Sequence, residues 1–179
     1  MSEGAPGNDL EVLFDTETLD RRIAELGREI SADYRGRPLR LVGILKGSWV
    51  FMASLARRLE LEVTVDFLGV ASYERSTEPT GAVRITKDLD HSIEGLDVLV
   101  VEDILDTGRT FEYILGVLSA HRPRSLKTVA LLDKPSRRVR PVKADYVGFT
   151  VPDVFVVGYG LDYAQRYRHL PDVRIFRPA

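Results

Sequence analysis

Apolar residues along this chain follow two spacings, one typical of helices and one typical of buried strands. Intervals of three and four residues between leucines and isoleucines predict an amphipathic helix over residues 19–31. Val98 to Val101 are instead four consecutive apolar residues, most of them β-branched. Such a run predicts a strand that is buried on both faces, as strands of a parallel sheet are.

The same two spacings predict alternating strands and helices along most of the chain. The predicted helices cover residues 19–31, 49–59 and 110–121. The predicted strands cover residues 39–45, 62–70, 82–87, 96–101, 126–132, 146–150 and 154–157. Strands that alternate with helices indicate an α/β fold with a central, mostly parallel sheet flanked by helices. No change in composition marks a second domain, so we expect a single domain over residues 1–179.

Two segments of the chain carry no periodic pattern. Residues 1–9 are polar and small and lack the charged start and apolar core of a signal peptide, so we expect a disordered tail. Residues 71–82 are polar and contain Pro79 and Gly81, which predicts a long flexible loop. A loop of this kind is a common place for residues that close over a substrate.

Composition excludes several classes of protein. The net charge of −2 provides no basic field for nucleic acid or for an anionic membrane, and no apolar run approaches the roughly 20 residues of a membrane helix. The basic clusters at Arg57-Arg58 and Arg137 to Arg140 are expected to face solvent. The absence of cysteine excludes disulfides and thiol catalysis. It also fits a reducing compartment, so we expect a cytoplasmic protein.

Polar residues follow several predicted strands at the point where each strand ends. They are Lys46-Gly47-Ser48, Ser72-Tyr73, Glu102 to Thr110, and Asp133-Lys134. Ligands of such sheets bind beyond the carboxyl ends of the strands. The sequence therefore predicts that these four segments meet at one site, although any α/β protein also needs some polar loops there.

The third of these segments contains the most informative motif in the chain. The acids Glu102 and Asp103 end the predicted strand, Asp106 follows, and Thr107 to Thr110 lead into a helix. A loop of N–H groups that opens a helix can bind phosphate, and adjacent acids can hold sugar hydroxyls or a hard cation. Acid pairs at strand ends also commonly face water, and Asp-Thr-Gly also forms ordinary turns and caps.

Residues 100–111 resemble the phosphoribosyl pyrophosphate signature of the type I phosphoribosyltransferases. Residues 45–48, 72–73, 131–134 and 152–163 narrow the resemblance to hypoxanthine-guanine phosphoribosyltransferases, and together it covers about residues 12–176. It implies the type I phosphoribosyltransferase fold, with a small hood formed by terminal segments. It also implies a Mg²⁺-dependent transfer from phosphoribosyl pyrophosphate to hypoxanthine or guanine, which yields IMP or GMP, and a homodimer or homotetramer.

The resemblance assigns residues to the sugar-phosphate donor. Glu102 and Asp103 would bind the ribose hydroxyls and share a Mg²⁺ with them. The donor would also be bound by Asp106, and its phosphates by Lys46, Gly47, Thr107, Gly108, Arg109, Thr110 and Arg168. In this family the peptide bond before the lysine is cis. Ser72 and Tyr73 would belong to the flexible catalytic loop, although residues 74–81 are more charged than is usual in the family.

The resemblance assigns a second set of residues to the purine. Asp106 would be the general base for purine N7, and Lys134 would donate to the 6-oxo group, which favours oxopurines over adenine. Phe155 would stack on the base and Val156 would offer backbone groups to its edge. Asp162 would line the purine site and hold a second Mg²⁺, partly through water.

Four other functions compete with this interpretation. A xanthine-preferring phosphoribosyltransferase differs only near the purine 2-position. A uracil phosphoribosyltransferase-like regulator that binds messenger RNA should show a basic face, which the near-neutral charge disfavours. A P-loop kinase lacks its motif here, and a non-catalytic binding module would not need Asp106 and both acid sites.

Overall fold

The computed structural model describes residues 9–72 and 83–177, which form three helices and nine strands. The helices are α1 (Thr16–Asp33), α2 (Trp49–Ala56) and α3 (Arg109–Ala120). The strands are β1 (Asp9–Phe14), β2 (Leu39–Leu45), β3 (Val63–Ser72), β4 (Val83–Lys87), β5 (Asp97–Leu105), β6 (Ser125–Asp133), β7 (Tyr146–Thr150), β8 (Val156–Val157) and β9 (Val173–Arg177).

Six of these strands form the central sheet, in the order β4-β3-β2-β5-β6-β7. Every neighbouring pair is parallel except β3 and β4, which are antiparallel. The predicted α/β fold with a mostly parallel sheet is therefore confirmed. Because β2, β5 and β6 lie side by side and run the same way, the segments that follow them emerge at one edge of the sheet.

The sheet separates two layers of the apolar core. On one face, α1 and α2 pack against the odd-numbered residues of β5, such as Leu99 and Val101. On the other face, Ile114 and Leu118 of α3 pack against Val98 and Val100. Burial on both faces explains why β5 has an unbroken apolar run instead of an alternating pattern.

The ends of the described chain form a second, three-stranded antiparallel sheet, in the order β1-β9-β8. This sheet is the expected hood of terminal segments. Asp9, which the sequence analysis placed in a disordered tail, instead pairs with Arg177 in the hood. Residues 1–8 lie outside the described residues.

Several predicted boundaries differ from the structure. Strand β5 continues to Leu105, so Glu102 and Asp103 lie within the strand and do not end it as predicted. Helix α2 ends at Ala56 instead of residue 59, because the chain tightens into a turn in which Arg58 N donates to Leu55 O at 2.8 Å. Strand β8 covers only two of the four residues predicted.

The predicted flexible loop over residues 71–82 also begins too early. Ala71 and the backbone of Ser72 pair with β4 in the central sheet. Residues 73–82 lie outside the described residues. Within the part of the chain that is described, no helix is both long enough and apolar enough to cross a membrane.

Candidate active site

The acid pair of β5 lies beside the turn that joins β2 to α2. The backbone at Gly47 approaches Asp103 so closely that a Cβ there would lie 1.5 Å from the Asp103 Oδ2 atom. Burial raises the pKa of Glu102 well above its usual value, and the negative charge of Asp103 raises it further. Burial also raises the pKa of Asp103. Two partly buried acids with like charge form a site that a cation would stabilise.

The loop after β5 turns sharply into α3 at Gly108. This residue has a φ of +84°, a left-handed conformation that glycine adopts without a steric penalty. Residues 102–108, together with Thr110 and Phe111, line a cavity of about 160 Å³. The N-terminus of α3 opens onto this loop, so Thr107, Gly108, Arg109 and Thr110 lie where an anion can be bound by N–H groups.

Asp106 lies at the start of the same loop. Its Oδ1 atom is buried and accepts no hydrogen bond. Arg137 approaches this oxygen, with Nε at 3.3 Å, but not in hydrogen-bonding geometry. The guanidinium of Arg137 also lies 3.6 Å from Asp153 Oδ1. The Asp106 carboxylate is therefore held near a cation while it keeps an unused acceptor, as a proton-accepting group requires.

Lys134 follows β6 and is buried, with only 4% of its surface exposed. Its ammonium donates to Val154 O at 2.8 Å, and its backbone N–H donates to Leu105 O at 3.0 Å. The bond to Val154 uses one of three ammonium hydrogens, so two remain for a ligand.

An exposed aromatic ring lies on the hood side of Lys134. Phe155 is 51% exposed, and its ring meets Tyr163 edge-on at a centroid distance of 5.8 Å. Phe176 of β9 contacts the same ring at 5.9 Å. Val156 is buried in the hood and can present only its backbone to a ligand. The two aromatic neighbours hold the Phe155 ring, and about half of its surface remains accessible to a ligand.

The segment from residue 159 to residue 168 carries the remaining predicted charges. Arg168 is paired with Asp162, at 2.7 Å between NH2 and Oδ1, and donates to Gly160 O at 2.7 Å. Gln165 N donates to Asp162 Oδ2 at 2.8 Å, and Lys46 Nζ donates to Gln165 Oε1 at 3.3 Å. Each carboxylate oxygen of Asp162 thus has one protein partner.

Backbone geometry in this part of the site is unusual. Ala164, Gln165 and Tyr167 all have φ between 49° and 76°, and such left-handed conformations in residues with side chains concentrate at functional sites. The peptide bond between Leu45 and Lys46 is cis, as the resemblance implied. A Cβ on Gly160, whose φ is +101°, would lie 2.1 Å from the backbone oxygen of Gly47.

The structure brings most of the predicted site residues to one edge of the sheet. Lys46, Gly47, Asp103 and Arg168 lie around one turn, and Asp106 and Lys134 flank the loop that precedes α3. Within residues 9–72 and 83–177, no group of three or more acids, histidines or cysteines is arranged to hold a metal ion. The Ser72 side chain and Tyr73 lie outside what is described.

The sequence analysis did not identify Arg138 as a site residue and wrongly expected its side chain to face solvent. Arg138 belongs to the cluster expected to face solvent, yet its side chain is 15% exposed and it donates to three backbone carbonyls beside the site. The prediction is correct for Arg137 and Arg140, which are about half exposed. No local pattern distinguishes the three residues, so only their position after Lys134 could have drawn attention to them.

Comparison with known proteins assigns this arrangement to a family. Residues 10–164 match the family described as "Phosphoribosyl transferase domain". The hypoxanthine-guanine phosphoribosyltransferase of Bacillus subtilis is 46% identical over 94% of this chain and 93% of its own length. The enzyme of that name from Staphylococcus aureus is 49% identical over 96% of each chain.

Solved structures agree with the sequence comparison. A hypoxanthine phosphoribosyltransferase from Staphylococcus aureus superposes with a TM-score of 0.90, at 49% identity over 94% of this chain and 91% of that one. Other relatives are much longer: the chain spans 26% of the bifunctional protein TilS/HprT of Listeria innocua, at 49% identity. The chain belongs to the phosphoribosyltransferase family, in its hypoxanthine-guanine branch.

Proposed function

We propose that this chain transfers the phosphoribosyl group of phosphoribosyl pyrophosphate to hypoxanthine or guanine. The bond between C1′ and the pyrophosphate oxygen breaks, and a bond from C1′ to a purine nitrogen forms, which yields IMP or GMP and pyrophosphate. The observation that carries the proposal is the junction of the Glu102-Asp103 pair with the loop that opens α3, beside the buried Lys134. The names of the relatives support the same reaction.

The two ends of the donor would be bound by different kinds of group. The N–H groups and hydroxyls of Thr107 to Thr110 would surround the 5′-phosphate, with help from the dipole of α3. Lys46, the backbone of Gly47 and Arg168 would bind the pyrophosphate. Lys46 uses one of its three ammonium hydrogens on Gln165, and Arg168 Nε has no acceptor, so both residues keep N–H groups that could donate to a pyrophosphate.

The acid pair fits a Mg²⁺ ion that arrives with the donor. Glu102 and Asp103 have raised pKa values caused first by burial, so a cation there would favour their ionised form. Mg²⁺ in proteins is commonly held by one or two carboxylates together with substrate oxygens and water, so a larger protein cage is not needed. When bound, the ion would neutralise charge on the departing pyrophosphate.

We propose Asp162 as a residue that holds a second ion, and its present contacts determine how it could do so. Both of its carboxylate oxygens have protein partners, the Arg168 guanidinium and the Gln165 N–H. Because each oxygen has two lone pairs, an ion bound directly by Asp162 would share these oxygens with Arg168 and Gln165. A contact of Asp162 with ions through water would leave the pair intact.

Asp106 would accept the proton of purine N7 as the new bond forms. Its buried, unbonded Oδ1 atom supports this role, since a base needs a free acceptor within reach of the proton. The carboxylate would also stabilise the positive charge that develops on the sugar. Arg137 Nε lies 3.3 Å from the Oδ1 atom.

Lys134 and Phe155 would select and orient the purine. An ammonium can only donate, so Lys134 suits a 6-oxo acceptor and opposes a 6-amino group. The half-exposed Phe155 ring would stack on the base, and the Val156 backbone would bind its edge.

We also infer that the chain assembles with itself as a dimer or tetramer, in the cytoplasm. Support comes from a mainly apolar cavity beside α2, which Trp49, 49% exposed, lines together with Tyr159 and Pro171. A surface of this kind is more typical of an interface than of a face in water. Sedimentation of wild type and Trp49→Ser tests it: a monomeric wild type contradicts the assembly.

The decisive experiment incubates the protein with phosphoribosyl pyrophosphate and Mg²⁺ and with one nucleobase at a time. We expect nucleotide from hypoxanthine and guanine, and rates lower by about 10⁴-fold or more with adenine, because Lys134 then lacks an acceptor. Faster turnover of xanthine would favour the xanthine-preferring alternative. Nucleotide from uracil, or from none of these bases, would contradict the proposal.

A further inference from the structure

We propose that Arg138 is a positioning residue that shapes the loop for the donor's 5′-phosphate. This inference rests on the proposed function and deepens it. Arg138 does not contact the phosphate position itself. It acts from behind the loop, on the carbonyl groups of the residues that precede Gly108.

The Arg138 guanidinium is surrounded by acceptors. Its Nε donates to Asp106 O at 2.8 Å, and its NH2 donates to Leu105 O at 3.0 Å and to the Asp133 carboxylate. Its NH1 donates to Val142 O at 2.6 Å. A flat fork with five hydrogens can satisfy several acceptors at fixed angles, which an ammonium cannot do.

The backbone next to Arg138 binds the following carbonyl of the loop. Val139 N donates to Thr107 O at 3.0 Å, and Arg140 N donates to the same oxygen at 3.2 Å. The carbonyls of Leu105, Asp106 and Thr107 therefore all accept hydrogen bonds from residues 138–140. Three consecutive peptide groups of the loop have fixed orientations before any ligand binds.

Peptide geometry connects these contacts to anion binding. In a trans peptide the N–H points away from the C=O of the same plane. Carbonyls held by the Arg138 segment therefore direct the N–H groups of Asp106, Thr107 and Gly108 toward the opposite side. Consecutive N–H groups that converge in this way bind anions, whereas a carbonyl that turned toward the phosphate would repel it.

The stem of Arg138 also packs against the loop. A Cβ on Gly108 would lie 3.0 Å from Arg138 Cδ and 2.6 Å from Val142 Cγ2. The loop thus rests directly on this side chain, without space for water between them. Loss of the guanidinium would free the carbonyls, and a shorter stem would remove the support beneath Gly108.

The test compares a nucleotide with its nucleoside, because only the nucleotide carries the 5′-phosphate. Binding of IMP and of inosine is measured by calorimetry for wild type and for Arg138→Lys, which keeps the charge but loses the fork. We expect IMP affinity to fall about 10- to 100-fold, the loss typical of misplaced binding groups. Inosine affinity should change by less than about twofold, since its contacts lie elsewhere.

Arg140→Lys is the matched control. It makes the same exchange in the same segment, but the Arg140 side chain points to Glu112, with Nε at 3.3 Å from Oε2, and the backbone N–H of residue 140 remains. We expect its ratio of IMP to inosine affinity to equal that of wild type. An equal change in Arg140→Lys and Arg138→Lys would mean that the effect does not depend on the contacts of Arg138, and would overturn the inference.

A second variant tests the same idea if Arg138→Lys does not fold. Val139→Pro removes one N–H from Thr107 O and leaves Arg138 in place. Arg138 already has φ −66° and ψ 119°, a conformation that suits a residue before proline. We expect IMP affinity to fall about 2- to 10-fold, the effect of one hydrogen bond, with inosine affinity unchanged.

Two further outcomes would overturn the inference. One is a wild-type ratio of IMP to inosine affinity in the folded variants. The other is an equal loss of affinity for both ligands, because that result indicates general support of the fold. If wild type itself binds IMP no better than inosine, the proposed function fails instead, so the two failures are distinguishable.

Discussion

Strand β5 carries buried carboxylates near both of its ends, and their pKa values are shifted in opposite directions. At its amino end, Asp97 accepts hydrogen bonds from Arg124 and from Ser125 Oγ, the latter at 2.6 Å, and lies 3.4 Å from Arg37. The bond from Arg124 is the main cause of a lowered pKa for Asp97. Near its carboxyl end, burial raises the pKa of Glu102 and Asp103.

This difference in pairing indicates that the carboxylate at the amino end of β5 stabilises the fold, whereas the acid pair near the carboxyl end is available for function. At the amino end each charge has a protein partner, and the same holds for Asp33, whose carboxylate accepts from Tyr146 at 2.5 Å and from Lys127 at 3.2 Å. At the carboxyl end, the acid pair remains without a matching cation among its described neighbours, apart from the distant influence of Arg168 on Asp103. We expect substitutions at the first end to lower stability and those at the second to lower activity.

The largest expected effect lies at the carboxyl end. Asp106→Asn should lower kcat by about 10²- to 10⁴-fold, the usual contribution of a general base. Its thermal stability and its affinity for phosphoribosyl pyrophosphate should stay close to wild type, because Oδ1 makes no hydrogen bond. Steady-state kinetics, donor titration and a melting curve measure all three.

Asp153→Asn is the control for this substitution, since Asp153 shares Arg137 with Asp106. We expect its kcat to stay within about threefold of wild type. An Asp106→Asn enzyme with nearly normal kcat would remove the assignment of the base.

The next largest effect lies at the amino end. Asp97→Asn should lower the free energy of unfolding by about 1–3 kcal/mol, because a fully buried acceptor of charged hydrogen bonds is lost. The kcat/KM of the folded variant should not change, since Asp97 lies at the opposite edge of the sheet from the site. Urea unfolding and steady-state kinetics test both halves of this expectation, and a large loss of activity would break the comparison.

The corresponding acid-to-amide substitution at the carboxyl end should change the free energy of unfolding in the opposite direction. Glu102→Gln should raise the free energy of unfolding at neutral pH by about 0.5–2 kcal/mol, because it removes one of two partly buried like charges. It should also weaken binding of the Mg²⁺-bound donor. Glu94→Gln, an exposed acid paired with Arg122, is the control and should change neither property. A less stable Glu102→Gln would show that the acid pair already has a stabilising partner.

The smallest effect is a dependence on pH. A lowered folded-state pKa for Asp97 means that its contribution to stability is present above the unfolded pKa of about 3.9 and disappears as the pH falls further. The stability difference between wild type and Asp97→Asn should therefore be constant from about pH 7 to 5 and shrink below about pH 4. A difference that grows in acid would reverse the assigned sign.

Much of the central sheet was predictable because its strands are buried on both faces. Strands β2 and β7 have the predicted bounds, and β5 was recognised from its four apolar residues. Its extension through Glu102 and Asp103 could not be predicted, because carboxylates are depleted in strands and resemble a strand end. Pairing with β6 holds these residues extended, and that contact is not visible in the local pattern.

The candidate site likewise has one part that the sequence predicts and another that it does not. The acid pair and the loop before α3 are adjacent in the chain, so one motif predicts both. Arg138 and Gln165 act through contacts with residues distant in sequence, such as Leu105 and Lys46. The residues next to Arg138 and Gln165 in the sequence are similar in type, so only the folded structure shows that these two residues belong to the site.

The close approach of Gly47 and Gly160 has a consequence for engineering this protein. A Cβ on Gly160 would overlap the Gly47 carbonyl oxygen, across more than a hundred residues of chain, and a Cβ on Gly47 would overlap the Asp103 carboxylate. Libraries intended to change the leaving group should therefore keep both glycines and diversify Gln165, whose side chain is exposed.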